Sequence, residues 1–206
     1  MQMKNLAGAL LLAALTGGIV APQLAVAQAP AAAAGQDKKE TTGKVGELIP
    51  ALTAKVMRDG KEATLDTQKN GKVTAYILVG VTCPATKPYA ERLAALEAAY
   101  GPKGVDFVYA YVNKPESAAD KAKFHKECKW TGAFWNDEGS AFAKALKAGK
   151  TGEVILTDKD GKVVYRGGID DNLNDATKAK EKYVAAALEE VLAGKAVTKT
   201  TGKVFG

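Results

Sequence analysis

The fold is decided by a stretch that alternates buried-strand and helical patterns, VTAYILVGVTCPATKPYAERLAALEAAYGPKGVDFVYAYV (residues 73–112). Residues 73–81 are nearly all apolar, which is typical of a strand covered on both faces of a sheet. Pro84 suits the first turn of a helix, and apolar residues recur at helical spacing up to Tyr100, where a Gly-Pro pair ends the pattern. Residues 105–112 repeat the buried-strand pattern. The stretch therefore predicts a βαβ unit with parallel strands and a right-handed crossover.

Two β-hairpins and two further helices are predicted around this unit. The hairpins are indicated by short strand patterns joined by Asp-Gly turns, and the helices by apolar residues at helical spacing. The predicted segments are residues 51–57 with 62–65, residues 153–157 with 163–166, and helices at 117–128 and 176–193. Hairpin, βαβα, hairpin and closing helix is the order of a thioredoxin-like fold. We therefore predict a three-layer α/β protein with a central mixed sheet and an N-terminal β-hairpin extension.

Composition excludes several classes of protein. The chain has 206 residues, of which 47% are hydrophobic and 25% charged, as expected for one globular domain. Its formal charge is +6, but lysines are interleaved with acidic residues, so a solvated surface is expected and no nucleic-acid partner. Two cysteines and one histidine exclude a disulfide-dense mini-protein and a four-cysteine zinc site. We expect no metal and no cofactor.

The first residues have the pattern of an export signal. Lys4 precedes an apolar run over residues 6–21, and Ala-Val-Ala before Gln28 offers the small residues that a signal peptidase needs. Glycines and a proline interrupt the run, so it is too short for a membrane anchor. We predict that residues 1–27 are removed and that the protein is exported, either periplasmic or secreted, with no membrane anchor after cleavage.

The remaining chain divides by composition. Residues 28–44 are Ala-rich and then polar, which predicts a flexible linker that cannot bury a core. Residues 45–194 carry the strand and helix patterns and are predicted to form the folded domain. Residues 195–206 lack a helical or strand period and are predicted to be a tail.

Three blocks of the sequence carry a family resemblance. They are the apolar strand ending in Thr82-Cys83-Pro84, the segment YGPKGV (residues 100–105) and the segment DKDGKVVYRGGIDD (residues 158–171). Together they resemble the redoxin, or peroxiredoxin-like, group of the alkyl hydroperoxide reductase and thiol-specific antioxidant superfamily, over about residues 45–206. The resemblance implies a thiol-dependent oxidoreductase. Its substrate would be a peroxide or another protein's thiols or disulfide, and its reductant an external thiol.

The resemblance places the reactive thiol at Cys83, between Thr82 and Pro84. Elementary chemistry agrees, because the free N–H groups and dipole at a helix start stabilise a thiolate, and Lys87 one turn later adds a cation. We therefore predict Cys83 as the attacking thiol, with Thr82, Pro84 and Lys87 lining its binding site. The alternative is that Cys83 is a small buried apolar residue.

The sequence also departs from the relatives' patterns. Thr86 stands where thioredoxins have their second cysteine, and Lys87 stands where copper-chaperone relatives have theirs. Gly80 replaces the Thr or Ser that precedes the thiol by three residues in peroxiredoxins. Gly152, after Thr151, occupies the place of the cis-proline that faces the thiol, so we expect a flexible loop with a free N–H donor there and a binding role for both residues.

A further departure concerns the tail. Relatives commonly carry a cysteine after the tail's aromatic–glycine pair, whereas this sequence reads Phe205-Gly206 and stops. We therefore expect the tail to have no redox role.

Cys128 is the candidate resolving thiol, on the helix that follows the βαβ unit. A sulfenic acid at Cys83 could condense with it if local unwinding brings the two residues together. The alternative is that Cys128 packs beside Phe124 in the core. His125 could deprotonate Cys128 or join it as a metal ligand, although one histidine and two cysteines make an incomplete site.

The aromatic residues after Cys128 leave two functions open. Trp130, with Trp135, could line a groove beside the thiol, or both indoles could belong to the core. A groove would suit a second hypothesis, in which the protein has kept the fold, lost efficient redox chemistry and works as a binding or structural protein.

Overall fold

The computed structural model describes residues 42–113 and 115–206. The predicted export signal, residues 1–27, and residues 28–41 of the predicted linker lie outside the described residues.

Within the described residues, seven strands form one mixed sheet with the order β2-β1-β5-β4-β3-β6-β7. The strands are β1 Thr53–Arg58, β2 Lys61–Asp66, β3 Thr74–Val79, β4 Asp106–Tyr111, β5 Ala133–Asn136, β6 Val154–Thr157 and β7 Val163–Gly167. The helices are α1 Thr86–Tyr100, α2 Ala118–Glu127, α3 Ala141–Ala145 and α4 Tyr183–Leu192. None of these helices is both long enough and apolar enough to cross a membrane.

The βαβ unit at the centre is confirmed. β3 and β4 are parallel and pair from Thr74 with Asp106 to Val79 with Tyr111, and every residue of both strands is buried. The two predicted hairpins are also confirmed, as β1 with β2 and β6 with β7. Helix α1 begins at Thr86, two residues after Pro84, because the residues after Cys83 form a turn first.

The structure adds two elements that were not predicted, β5 and α3, and moves the start of the last helix. β5 was not predicted, although it joins β4 in parallel and meets β1 at the single pair Met57 with Phe134. Four residues are too few to show a strand period, so pairing with β4 decides this segment. The short helix α3 was missed for the same reason. The last helix starts at Tyr183, because residues 176–178 form a separate 3-10 turn capped by Asp175.

The sheet has an apolar cluster on each face, as the alternation of side chains along strands requires. One cluster contains Tyr109 and Trp130 together with residues of α1 and α4. The other contains Tyr76, Trp135 and Phe142 and is covered by α3. Neighbouring residues of one strand thus belong to different layers, and the layers are those of an α/β sandwich.

The tail lies along the edge of the sheet. The Arg166 N–H donates to the Thr200 carbonyl over 3.0 Å, and the Gly168 N–H donates to the Gly202 carbonyl over 3.2 Å. Val197 and Phe205 pack against the core. Residues 195–206 form neither a helix nor a regular strand, yet they are attached to the domain.

Candidate active site

Cys83 lies in the turn between β3 and α1, where the buried central strand delivers it to the start of a helix. Its side chain is 8% exposed, and the thiol is not in a disulfide. The Thr151 hydroxyl donates to the Cys83 Sγ over 2.7 Å, and the Ala85 N–H donates over 3.3 Å. The sulfur therefore lies between the helix start and the loop before β6.

Hydrogen bonding decides the ionisation of this thiol. Burial raises the pKa of Cys83, but hydrogen bonds from the hydroxyls of Thr151 and Thr86 and from the N–H groups of Ala85 and Thr86 outweigh it. The pKa of Cys83 is consequently lower than that of an ordinary thiol. A thiolate is both the nucleophile in disulfide exchange and the form that peroxides oxidise.

Two expectations about the groups around Cys83 are corrected. Lys87 was expected to lower the pKa of Cys83, but its charge acts on Cys128, and hydroxyl and N–H donors lead at Cys83. Thr86 was noted only as the residue that replaces a second cysteine. Its hydroxyl in fact contacts the sulfur and also accepts from the Gly80 N–H over 3.3 Å. Thr86 therefore supplies a hydroxyl that position 80 lacks.

The loop facing the thiol is fixed rather than free. Gly152 has a φ of +82°, a conformation suited to glycine, and its N–H donates to the Leu78 carbonyl over 2.7 Å. The expectation of an unused donor at Gly152 is thus wrong, because β3 takes it up. The fixed backbone positions the preceding residue, Thr151, on the sulfur. Thr151 and Gly152 therefore both lie at the predicted site.

Glu116 is a site residue that sequence reasoning missed. One of its carboxylate oxygens accepts from the Thr82 N–H and hydroxyl, each over 2.9 Å, and from the Asn113 amide over 2.9 Å. Burial raises the pKa of Glu116, but these donors and the Val81 N–H lower it by more. The net result is a lowered pKa, which favours the carboxylate. Glu116 therefore holds the turn that carries Cys83 in place through its hydrogen bonds with Thr82. The only sequence signal for it is a carboxylate placed just after a predicted central strand.

Gly80 gives this turn room. A Cβ at Gly80 would overlap the side-chain amide of Asn113, so the absence of a side chain lets the two segments approach. In the sequence, Gly80 stands where peroxiredoxins have a hydroxyl residue. In the structure, Gly80 allows Asn113 and Glu116 to pack against the turn that carries Cys83.

Cys128 ends α2 and is partly buried, and its thiol is also free. Burial, with a contribution from Glu127, raises the pKa of Cys128 to about 11, although Lys87 opposes this. Cys128 and Phe124 both pack against the apolar cluster on this face of the sheet. The two cysteines therefore differ in acidity: the pKa of Cys83 is lowered and the pKa of Cys128 is raised.

His125 is packed among aromatic rings. Its ring centroid lies 5.2 Å from that of Tyr109 and 5.7 Å from that of Trp130. Burial lowers the pKa of His125 to about 4, and it is absent from the groups that shift the pKa of Cys128. Within residues 42–113 and 115–206, no three His, Cys, Asp or Glu side chains form a group that could hold a metal.

The proposed tryptophan groove is wrong. Trp130 is 4% exposed, stacks on Tyr109 with ring centroids 4.2 Å apart and donates its Nε1–H to the Ala90 carbonyl. Trp135 is 5% exposed and lies 4.6 Å from the Phe142 ring in the cluster on the opposite face of the sheet. Trp130 precedes β5 and Trp135 lies on it, and the two indoles belong to clusters on opposite faces of the sheet.

A mixed sheet flanked by helices, with an ionisable thiol at the end of the central strand, defines a thioredoxin-fold protein of the thiol redox type. The chain belongs to the redoxin family, whose family model matches residues 44–183. The predicted family, the predicted fold class and the predicted class of thiol-dependent oxidoreductase are thereby confirmed. No curated protein sequence matches the chain.

Solved structures of the same fold are numerous. A crystal structure of an uncharacterized conserved protein from Geobacillus kaustophilus is similar with 29% identity and a TM-score of 0.68, covering 77% of this chain and 89% of that one. A secreted disulfide oxidoreductase from Mycobacterium tuberculosis has 16% identity and a TM-score of 0.51, covering 70% and 96%. The thioredoxin domain of a thiol-disulfide oxidoreductase from Bacteroides vulgatus has 20% identity and a TM-score of 0.50, covering 60% and 87%.

Proposed function

We propose that this protein is an exported thiol redox protein in which the Cys83 thiolate attacks a disulfide of another protein. The observation that carries the proposal is the set of hydroxyl and N–H donors on the Cys83 sulfur, which lowers its pKa. The donors are supplied by two elements, the start of α1 and the Thr151 loop, so the site is preorganised by the fold.

The first step is an ordinary exchange. The Cys83 thiolate attacks one sulfur of the substrate disulfide, forming a Cys83 mixed disulfide and releasing the other substrate sulfur as a thiolate. A second thiol then attacks the Cys83 sulfur of the mixed disulfide, forming a disulfide with Cys83 and releasing the second substrate sulfur as a thiolate. Two electrons move from protein thiols to the substrate, and an external thiol reductant restores the starting state.

The second thiol is proposed to come from Cys128 or from outside the chain. Thr86 occupies the position of a second cysteine next to Cys83 and cannot form a disulfide. Cys128 lies one helix away, and its raised pKa of about 11 leaves little thiolate near neutral pH. Resolution by Cys128 therefore requires local opening of the end of α2, which costs less than global unfolding.

The export proposal rests on residues 1–27, through their charge, apolar run and small residues before Gln28. It supplies the context for disulfide chemistry, since disulfides persist in oxidising compartments. Sequencing the N-terminus of the protein recovered from its own host is expected to give Gln28 as the first residue. Recovery of a chain that still begins at Met1, in the cytosolic fraction, would contradict export.

The test of the redox function is mass spectrometry of wild type, Cys83→Ser and Cys128→Ser after reaction with a peptide disulfide. Wild type and Cys128→Ser are expected to gain one peptide at Cys83, and Cys83→Ser to gain none. If Cys128 resolves, wild type then loses the peptide and forms an internal disulfide, whereas Cys128→Ser keeps the adduct.

The competing hypothesis of a binding or structural protein makes the opposite forecast. The burial of Cys83 to 8% exposure favours it. Under that hypothesis neither cysteine reacts in the native protein, and adducts form only after urea unfolds it. Treatment with hydrogen peroxide distinguishes peroxidase chemistry from disulfide exchange, because a peroxidase would form sulfenic or sulfinic acid at Cys83.

A further inference from the structure

Residues 200–206, called here the tail segment, run along a path lined by glycines. The Arg166 and Gly168 N–H groups donate to tail carbonyls, as an added strand would accept them. A Cβ at Gly168 would overlap the Lys203 carbonyl, and a Cβ at Gly167 would overlap the Gly202 nitrogen. The edge beyond β7 is thus shaped to receive the backbone of an extended peptide.

The same path leads to the reactive thiol. A Cβ at Gly152 would overlap the Phe205 carbonyl oxygen, and a Cβ at Gly206 would overlap the Thr151 carbonyl oxygen. Thr151 in turn donates its hydroxyl to the Cys83 sulfur. The tail segment therefore lies against the loop that faces the thiol, and Gly152 admits it because it has no side chain.

The tail segment is joined to the domain by few hydrogen bonds. Within the described part of the chain, two backbone hydrogen bonds join it to the domain. Residues 201, 203 and 206 are exposed, and the other tail residues are partly buried. Phe205 packs against the core, and the residues before the tail segment are held separately, by exposed hydrogen bonds from Thr198 to Glu190 and an exposed ion pair of Lys199 with Glu181. Opening of the tail segment alone is therefore a local, low-cost event.

We propose that the tail segment occupies the docking groove of an extended polypeptide substrate and must leave before that substrate reaches Cys83. This proposal rests on the proposed redox function and adds to it the class of substrate and an internal gate. A substrate strand takes over the Arg166 and Gly168 donors by strand addition. Its disulfide then lies by Thr151, where the Cys83 thiolate attacks one sulfur and releases the other as a thiolate. A small alkylating reagent does not need the groove, so its reaction with Cys83 does not depend on the position of the tail segment.

Two full-length variants displace the tail segment from opposite sides. Gly202→Ala changes only the tail, and the added methyl group would overlap the Tyr183 ring. Gly168→Ala changes only the groove, and its methyl group would overlap the Lys203 carbonyl. Neither glycine has a positive φ, so alanine adds no backbone strain. Gly101→Ala is the matched control, because a Cβ there meets nothing within 4 Å.

The experiment compares two reagents on these variants, all carrying Cys128→Ser so that Cys83 is the reacting thiol. One reagent is iodoacetamide, and the other is a seven-residue peptide whose cysteine is joined by a disulfide to thionitrobenzoate, which absorbs when released. Hydrogen exchange of the Gly168 amide and of residues 200–206 reports whether the tail segment has left. Thermal melting confirms that each variant is folded.

In Gly202→Ala we expect faster exchange at residue 168 and at least a tenfold rise in the peptide rate relative to the iodoacetamide rate. In Gly168→Ala we expect faster exchange without that rise, because the added methyl group also fills the path of the substrate backbone. The Gly101→Ala ratio should be unchanged. Faster exchange with an unchanged ratio in Gly202→Ala would overturn the gate and leave the redox function intact, and a tenfold rise in Gly168→Ala as well would overturn the shared groove. Unaltered exchange in both variants would overturn the glycine-based seating of the tail segment. Failure of Cys83 to react with either reagent in every variant would instead overturn the proposed function, and the gate with it.

Discussion

The thiolate of Cys83 is stabilised chiefly by neutral hydrogen-bond donors. The donors are the hydroxyls of Thr151 and Thr86 and the N–H groups at the start of α1. A hydrogen bond to a charged acceptor contributes more than one between neutral groups, so each hydroxyl should matter measurably. The Cys83 site consequently depends on the loop before β6 as much as on the helix.

Removing one donor tests this balance. In Thr151→Val, loss of the 2.7 Å hydrogen bond is expected to raise the pKa of Cys83 by about one unit, which corresponds to about 1.4 kcal/mol. Thiolate absorbance at 240 nm measured against pH in the Cys128→Ser background gives the pKa directly. Thr53→Val, an exposed change on β1, serves as the control and should leave the titration where it was. A pKa in Thr151→Val equal to that of the parent would contradict the role of this hydroxyl.

At this scale the sequence predicts the thiol and, through the resemblance, the loop that faces it, but not the hydrogen bonds that these residues make. Cys83 is identifiable because a cysteine stands between a buried strand and a helix. Thr151 lies 68 residues away, and its contact with the sulfur depends on how β6 pairs with β3. Glu116 is similarly invisible, because its hydrogen bonds to the Thr82 turn follow from the parallel pairing of β3 and β4.

Helix α2 carries the second cysteine and the single histidine on the side of the aromatic cluster. His125 is surrounded by Tyr109, Tyr111, Trp130 and Phe134, an environment that favours the neutral imidazole. Burial lowers the pKa of His125 to about 4. The unfolded chain therefore binds a proton at His125 at a higher pH than the folded protein does.

The histidine should make α2 sensitive to acid. A folded pKa below the unfolded value of about 6.5 gives stability that is present above pH 6.5 and is lost as the pH falls toward 4. We expect His125 to reduce the free energy of unfolding by about 2 kcal/mol between pH 7 and 4.5. Urea titrations of wild type and His125→Phe across this range measure the slope. Since the chain has no other histidine, a slope in His125→Phe as steep as in wild type would refute the assignment.

Elements with a long, clear period were predictable and short ones were not. α1 and the two central strands follow from apolar spacing, whereas β5 has four residues and is placed by its neighbours. The aromatic residues of that region show the consequence. Without β5 the two tryptophans could be assigned to one groove, and with it they fall on opposite faces of the sheet.

For the molecule as a whole, one fold brings three distant parts of the chain to Cys83. These parts are the start of α1, next to Cys83 in the sequence, the Thr151 loop, 68 residues further on, and the tail segment, which lies against that loop. The tail has no sequence period, so its course along β7 was not predictable. It follows instead from glycines that allow two backbones to approach. The acidity of Cys83 is therefore a property of the folded chain and disappears when the chain unfolds.

The most direct test of this account is the alkylation rate of Cys83 against pH, measured in Cys128→Ser both native and unfolded in urea. The unfolded chain supplies the reference, an ordinary thiol with a pKa of about 8.5. We expect a native midpoint below the unfolded one, because the donors on the sulfur outweigh its burial. A native midpoint at or above the unfolded midpoint would contradict the claim that the fold activates Cys83 as a nucleophile.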